Sequence, residues 1–131
     1  MNEKEFRRMV VRIIEEAGGH ISMVESPETS PGIPDLNWCL RGREGWTELK
    51  VSKAGESPDI RPAQRAWIRR RVAVGGNVNL LMFNNKDQAV ITLPGECLED
   101  VKTLKDWYEH GHRITIDEMR DAYCNNPIME H

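Results

Sequence analysis

Asp35 stands 13 residues ahead of Glu48, and Lys50 follows two residues after Glu48. The stretches holding them read Gly32-Ile33-Pro34-Asp35-Leu36 and Trp46-Thr47-Glu48-Leu49-Lys50-Val51, with a Gly/Arg-rich turn between. Each reads as a β-strand. Side chains alternate along a strand, so Glu48 and Lys50 share one face while Leu49 points to the other. Asp35 can lie beside that pair if the two strands are in suitable register. Two carboxylates and the backbone carbonyl of Leu49 make a set of hard oxygen donors of the kind Mg²⁺ or Mn²⁺ takes, with room left for water. A cation so held polarises a phosphate and acidifies a water. Lys50 would then hold the attacking water or neutralise charge on phosphorus. The expected chemistry is hydrolysis of a phosphodiester.

The surrounding elements are legible from periodicity and punctuation. Phe6, Val10, Ile13, Ile14 and Ala17 recur at helical spacing, and Gly18-Gly19 supplies a stop. His20–Val24 is a short strand, and residues 25–34 form a loop rich in Pro, Ser and Thr that leads into Asp35. Asp35–Leu40 and Gly45–Val51 form a hairpin around Arg41-Gly42-Arg43-Glu44. A polar loop covers residues 52–60. A helix starts at Pro62, since proline suits the first turn, and closes at Gly75-Gly76. Val78–Phe83 and Gln88–Leu93 are two further strands around Asn84-Asn85-Lys86-Asp87. The order is α-β-β-β-α-β-β. Residues 97–108 read as one helix, and Thr115-Ile116-Asp117-Glu118 as a capping box opening a last one. These suggest a core over residues 1–95 and a small acidic helical extension over residues 96–131.

Composition sets the class. With 131 residues, 39% of them hydrophobic and 30% charged, the chain suits one globular domain. No apolar run of about 18 residues offers a membrane span, and the charged start is unlike a secretory signal. Three cysteines, odd in number and widely spaced, fit a reducing cytoplasm rather than a disulfide framework. The net charge of −3 conceals an asymmetry. Residues 96–131 hold nine acids against four Lys/Arg, whereas Arg61, Arg65, Arg69, Arg70 and Arg71 fall within 11 residues that contain no acid. A nucleic-acid partner needs such a local patch.

These features together resemble the PD-(D/E)XK nuclease superfamily. Within it they are most similar to the VRR-type nucleases, in which a Gly-x-Pro-Asp-Leu strand precedes a Glu-Leu-Lys strand and a glutamine-bearing helix follows. Here that third part reads Arg61-Pro62-Ala63-Gln64-Arg65-Ala66-Trp67. The resemblance spans residues 3–93 and leaves the tail outside. It implies a restriction-endonuclease-like αβββαβ core, with a mixed central sheet flanked by helices. It also implies a Mg²⁺- or Mn²⁺-dependent DNA endonuclease. Asp35, Glu48 and the Leu49 carbonyl would be metal ligands, Lys50 the water-positioning residue and Gln64 a supporting one. A first-helix glutamate joins the site in such proteins. Glu3 shares the inward stripe of Phe6 and Val10, and Glu5 points about 160° away from it at roughly 100° per residue, so Glu3 is favoured. The pattern departs at Arg71, where an apolar residue is usual. Structure-selective cutting of Holliday junctions or other branched DNA, a homodimer and a phage setting also follow from the resemblance.

Plainer readings stand beside these. Arg61, Arg65 and Arg69 recur at i, i+4, which suits a solvated helix face as well as a phosphate contact. Lys53 and the loop at residues 25–33 are further candidates to touch DNA. His110, His112 and Cys124 lack the spacing of a zinc site. Two functional alternatives remain: a nuclease on linear duplex or single strands, and an inactive DNA- or protein-binding module on the same fold.

Overall fold

The structure, a computed structural model, describes residues 1–25 and 31–125. Helix α1 (Glu3–Glu16) is followed by strands β1 (His20–Met23), β2 (Leu36–Leu40) and β3 (Arg43–Ser52). Helix α2 (Pro62–Ala73) leads to β4 (Val78–Asn84) and β5 (Ala89–Pro94). A 3₁₀ segment, η1 (Gly95–Asp100), then precedes α3 (Leu104–His110), β6 (His112–Ile114) and α4 (Ile116–Asn125). The six strands form one sheet in chain order, β1-β2-β3-β4-β5-β6. The β3–β4 pair is parallel, with α2 as the crossover, and the other pairs are antiparallel. The expected α/β architecture, a mixed sheet flanked by helices, is therefore the observed one.

Local chemistry explains the boundaries. Asn2 caps α1, accepting from the Glu5 amide at 2.8 Å while the Glu5 carboxylate accepts from the Asn2 amide at 3.1 Å. The β2–β3 hairpin turns on two residues with positive φ, Arg41 at 50° and Gly42 at 77°, as the twist of a two-residue hairpin requires. Two apolar clusters lie on opposite faces of the sheet. One joins Phe6, Val10, Ile13 and Ile14 of α1 to Leu36, Trp38, Leu49 and Phe83. The other places Ile68 of α2, Leu98 of η1 and Trp107 of α3 over Leu80, Met82 and Ile91.

Register across the central strands is pinned by polar groups as well as packing. Trp38 Nε1 donates to Thr47 Oγ1 at 2.9 Å, and Thr47 donates onward to Asn79 Oδ1 at 2.5 Å. All three are buried, so this chain ties β2, β3 and β4 together in a low-dielectric setting. Gly45 makes room for it: a Cβ there would lie 2.4 Å from the Trp38 ring.

The segment after Pro94 departs from a purely helical appendage. His112–Ile114 forms the sixth strand against β5, with Val90 opposite Ile114. Residues 97–108 are not one helix but a 3₁₀ segment and a separate α3, broken at Thr103, which caps α3 through the Asp106 amide at 3.2 Å. Met119, Ala122 and Tyr123 of α4 are buried in the same cluster as α1. This segment therefore contributes to the main core. Met119→Ala should cost about 2–5 kcal/mol in urea-monitored unfolding, with a single cooperative transition. A loss below about 0.5 kcal/mol would show that α4 packs too loosely to count as core.

Candidate active site

Asp35 sits at the bend immediately before β2, where the chain parts from β3. Leu36 faces Thr47 in the β2–β3 ladder, so Asp35 falls beside Glu48 and the ladder ends there. The Leu49 amide is then taken by a side chain: Asp35 Oδ2 accepts it at 2.9 Å. In return, Glu48 Oε1 accepts the Asp35 amide at 3.2 Å. Along a strand the N–H and C=O of one residue point to the same edge, so the Leu49 carbonyl is also directed to the Asp35 side.

Glu48 and Lys50 project toward α2, as strand alternation requires. Gln64, buried on the first turn of α2, meets them. Its Nε2 donates to Glu48 Oε2 at 2.6 Å, and its Oε1 accepts from Lys50 Nζ at 3.0 Å and from the Arg61 amide at 2.9 Å. Lys50 Nζ lies 3.5 Å from Glu48 Oε2. One glutamine thereby satisfies both strand side chains and a free amide at the helix start.

The helix can come this close because of Gly32. Its φ is +90°, and a Cβ there would fall 2.1 Å from the Ala63 carbonyl oxygen. Only glycine tolerates both the backbone conformation and the approach. The loop that delivers Asp35 is therefore seated on the helix turn that delivers Gln64.

Burial and the neighbouring Asp35 carboxylate push the Glu48 carboxyl up to about 8, against the opposing pull of Lys50. The site thus holds a proton at neutral pH that two solvated carboxylates would have released. A hard divalent cation would take over that proton's task, and the donors present fit one: two carboxylates and an adjacent backbone carbonyl, all oxygen. Among the described residues no cluster of three His, Cys, Asp or Glu side chains occurs, so the carbonyl and water must complete such a shell.

Other residues singled out by the sequence fall elsewhere. Glu3 is exposed and, among the described residues, forms no hydrogen bond or ion pair with this cluster; Glu5 is engaged in the α1 capping box. Arg65 faces η1, donating to the carbonyls of Leu98 and Val101 at 3.1 Å each. Arg69 pairs with Glu99 at 2.5 Å. Two members of the arginine stripe thus tie α2 to η1. Arg61 and Lys53 are exposed, and only the Arg61 backbone amide is hydrogen-bonded to the cluster, through Gln64. Of the loop at residues 25–33, residues 26–30 lie outside those described.

A comparison with protein-family descriptions finds no match, and none is found among curated proteins. Among solved structures, the chain is similar to Archaeoglobus fulgidus Hjc, a Holliday junction resolvase from an archaeal hyperthermophile. The TM-score is 0.64 at 17% identity, over 89% of this chain and 98% of that one. The fold is restriction-endonuclease-like. In this chain it sets Asp35, Glu48, Lys50 and Gln64 at one end of the sheet.

Two predictions follow from this geometry. Between pH 4.5 and about 8 the folded chain keeps the Glu48 proton that the unfolded chain has lost. The folded state then binds more protons, so stability falls as pH rises through this window. Glu48→Gln should flatten that slope and gain on the order of a few kcal/mol relative to the parent at pH 9, read from denaturant midpoints without added metal. Parallel pH profiles would contradict it. Gly32→Ala should cost about 2 kcal/mol or more in thermal unfolding; an unchanged midpoint would mean that the loop is not seated on α2.

Proposed function

We propose that this protein is a divalent-cation-dependent DNA endonuclease that hydrolyses phosphodiester bonds in branched DNA such as four-way junctions. The observation that supports it most is the buried Glu48 held against Asp35, with Lys50 and Gln64 completing one contiguous polar cluster in an otherwise apolar setting. A Holliday junction resolvase with the same fold supports the choice of substrate.

Asp35, Glu48 and the Leu49 carbonyl would hold Mg²⁺ or Mn²⁺. When bound, such a cation supplies the positive charge that acidifies a water and offsets charge on the phosphate oxygens. Lys50 would hold the attacking water by hydrogen bonding or neutralise charge on phosphorus. Gln64 fixes the Lys50 ammonium and the Glu48 carboxylate relative to each other, which limits their motion during the step. The buried wall behind Glu48 keeps bulk water from that side. Lys53 and Arg61, both exposed and close in sequence to Lys50 and Gln64, would contact backbone phosphates of the substrate. Glu3, on the exposed first turn of α1, would join the site only by a shift on substrate binding. Cutting both strands of a symmetric junction takes two sites, so the working species is a homodimer.

Labelled four-way junction, flap and linear duplex, each incubated with Mg²⁺ or Mn²⁺, test this. The junction should be cut fastest, and EDTA should stop cleavage. Asp35→Ala and Lys50→Ala should each lower the rate at least 100-fold, roughly 3 kcal/mol of barrier. Equal rates on linear duplex would replace junctions with general duplex cleavage. Metal-independent binding without cleavage would make the chain a DNA-binding module.

A further inference from the structure

The two faces of the sheet are not covered alike. Beneath α1, the side chains of Ile21, Leu36, Trp38 and Leu40 are packed in the first core cluster. On the other face, α2, η1 and α3 sit over the β3–β5 side through the second cluster. Over β1 and β2, no helix among the described residues covers that second face. His20 stands opposite Cys39, and Ser22 opposite Asn37; directly opposed residues share a face. His20, Ser22 and Cys39 are exposed and Asn37 is half-buried. Asn37 in turn faces Trp46 of β3, two residues before Glu48. Among the described residues, an uncovered strip of sheet therefore runs from Asp35 and Glu48 toward the β2–β3 hairpin, with α2 as its wall.

Helix α2 presents different residues to its two sides. Arg65 and Arg69 turn to η1. Trp67 and Arg71, one turn apart, turn to Trp46. The two indoles meet edge-on at 5.2 Å between ring centroids. The Arg71 guanidinium lies 4.6 Å from the Trp67 centroid and 5.3 Å from that of Trp46. Arg71 is exposed, and among the described residues its side chain makes no hydrogen bond or ion pair. Glu44 shares this face, but its carboxylate accepts from Asn37 Nδ2 at 3.3 Å. Gly76 preserves the arrangement, because a Cβ there would come within 2.4 Å of Arg71 Cγ.

Cation–π attraction holds a guanidinium against aromatic rings without using its N–H groups as hydrogen-bond donors. Those groups match a phosphate, which they can grip with two parallel hydrogen bonds. Arg65 and Arg69 of α2 have protein partners; the Arg71 guanidinium is preorganised and unspent. We propose that Arg71, held against Trp46 and Trp67, is a phosphate-binding residue that positions the substrate strand along the uncovered face of β1 and β2. Gln64 and Arg71 are seven residues apart, roughly 10 Å along the helix. At about 3.4 Å of duplex rise per nucleotide, the contacted phosphate lies about three nucleotides from the scissile bond.

This inference rests on the nuclease reading, and its test separates the two. Arg71→Met keeps the aliphatic stem over the indoles and removes the charge and the donors; Arg71→Lys keeps the charge without the flat fork. Binding to junction DNA is measured in the Asp35→Asn background across a salt series, and cleavage in the otherwise native chain. For Arg71→Met, the thermal midpoint should be unchanged and Kd should rise about tenfold. The slope of log K against log salt should shrink by about 0.9, and kcat/KM should fall chiefly through KM. Arg71→Lys should recover the salt slope but not the full affinity. A neutral methylphosphonate about three nucleotides from the cut should weaken the parent and leave Arg71→Met unaffected. If the parent cuts DNA but Arg71→Met binds and cuts like it, the Arg71 contact is wrong and the nuclease reading stands. A lowered midpoint with an unchanged salt slope overturns the contact in favour of a packing role. A parent that neither binds nor cuts any DNA overturns both.

Discussion

Leu36 faces Thr47 across the β2–β3 ladder, and this register sets the Asp35 carboxylate against the Leu49 amide. A shift of one residue would turn Asp35 and Glu48 to opposite faces. The fold resists that shift by several means. Trp38, Thr47 and Asn79 form a buried relay across three strands, and Gly45 leaves the space in which the Trp38 ring lies. Leu36, Trp38 and Leu40 alternate into the core beneath α1. The polar relay is on the face away from the Asp35–Glu48 cluster, so that cluster is held in register from behind.

The cluster itself is built from opposing demands. Burial of Glu48 beside a second carboxylate is costly, and the chain offsets it with a glutamine, a lysine and a retained proton. None of these is a perfect partner for an ionised pair. Gln64 is neutral, and the Lys50 ammonium is shared between Glu48 and Gln64. A structural ion pair would be better satisfied than this. Such residual electrostatic tension in a polar pocket on rigid strands is what supports the functional proposal for this cluster.

Much of this was legible in the sequence, for physical reasons that differ by element. Helix α1 shows its phase because its apolar residues face a sheet and its charges face water. Asp35, Glu48 and Lys50 are readable because strand alternation is rigid, and Gln64 because Pro62 marks the helix start. β6 was hidden: its three residues, two of them exposed, carry too short a pattern to distinguish a strand from a turn. The break before α3 did have a signal, Thr103 three residues ahead of Asp106, obscured by the apolar residues on either side. The fate of Arg65 and Arg69 could not be read at all, because a one-dimensional stripe does not say that η1 lies beside it.

Arg71 shows the same limit from the other direction. In sequence it breaks an apolar pattern and puts the phase of α2 in question. In the fold, Pro62, Gln64 and Ile68 keep the helix in place, and the indoles of Trp46 and Trp67 accept the guanidinium that an apolar residue would otherwise replace. A charged side chain at such a position keeps the packing that a hydrophobic one would give, because its stem and flat face can be buried while its edge stays wet. The substitution therefore costs the core little while adding a fixed cation on the side of α2 away from η1. The contact with the indoles preorganises that cation, so less side-chain entropy would be lost on binding the proposed phosphate. The same helix thus divides its arginines between holding the fold, through Arg65 and Arg69, and leaving one oriented charge beside the strands that lead to Asp35.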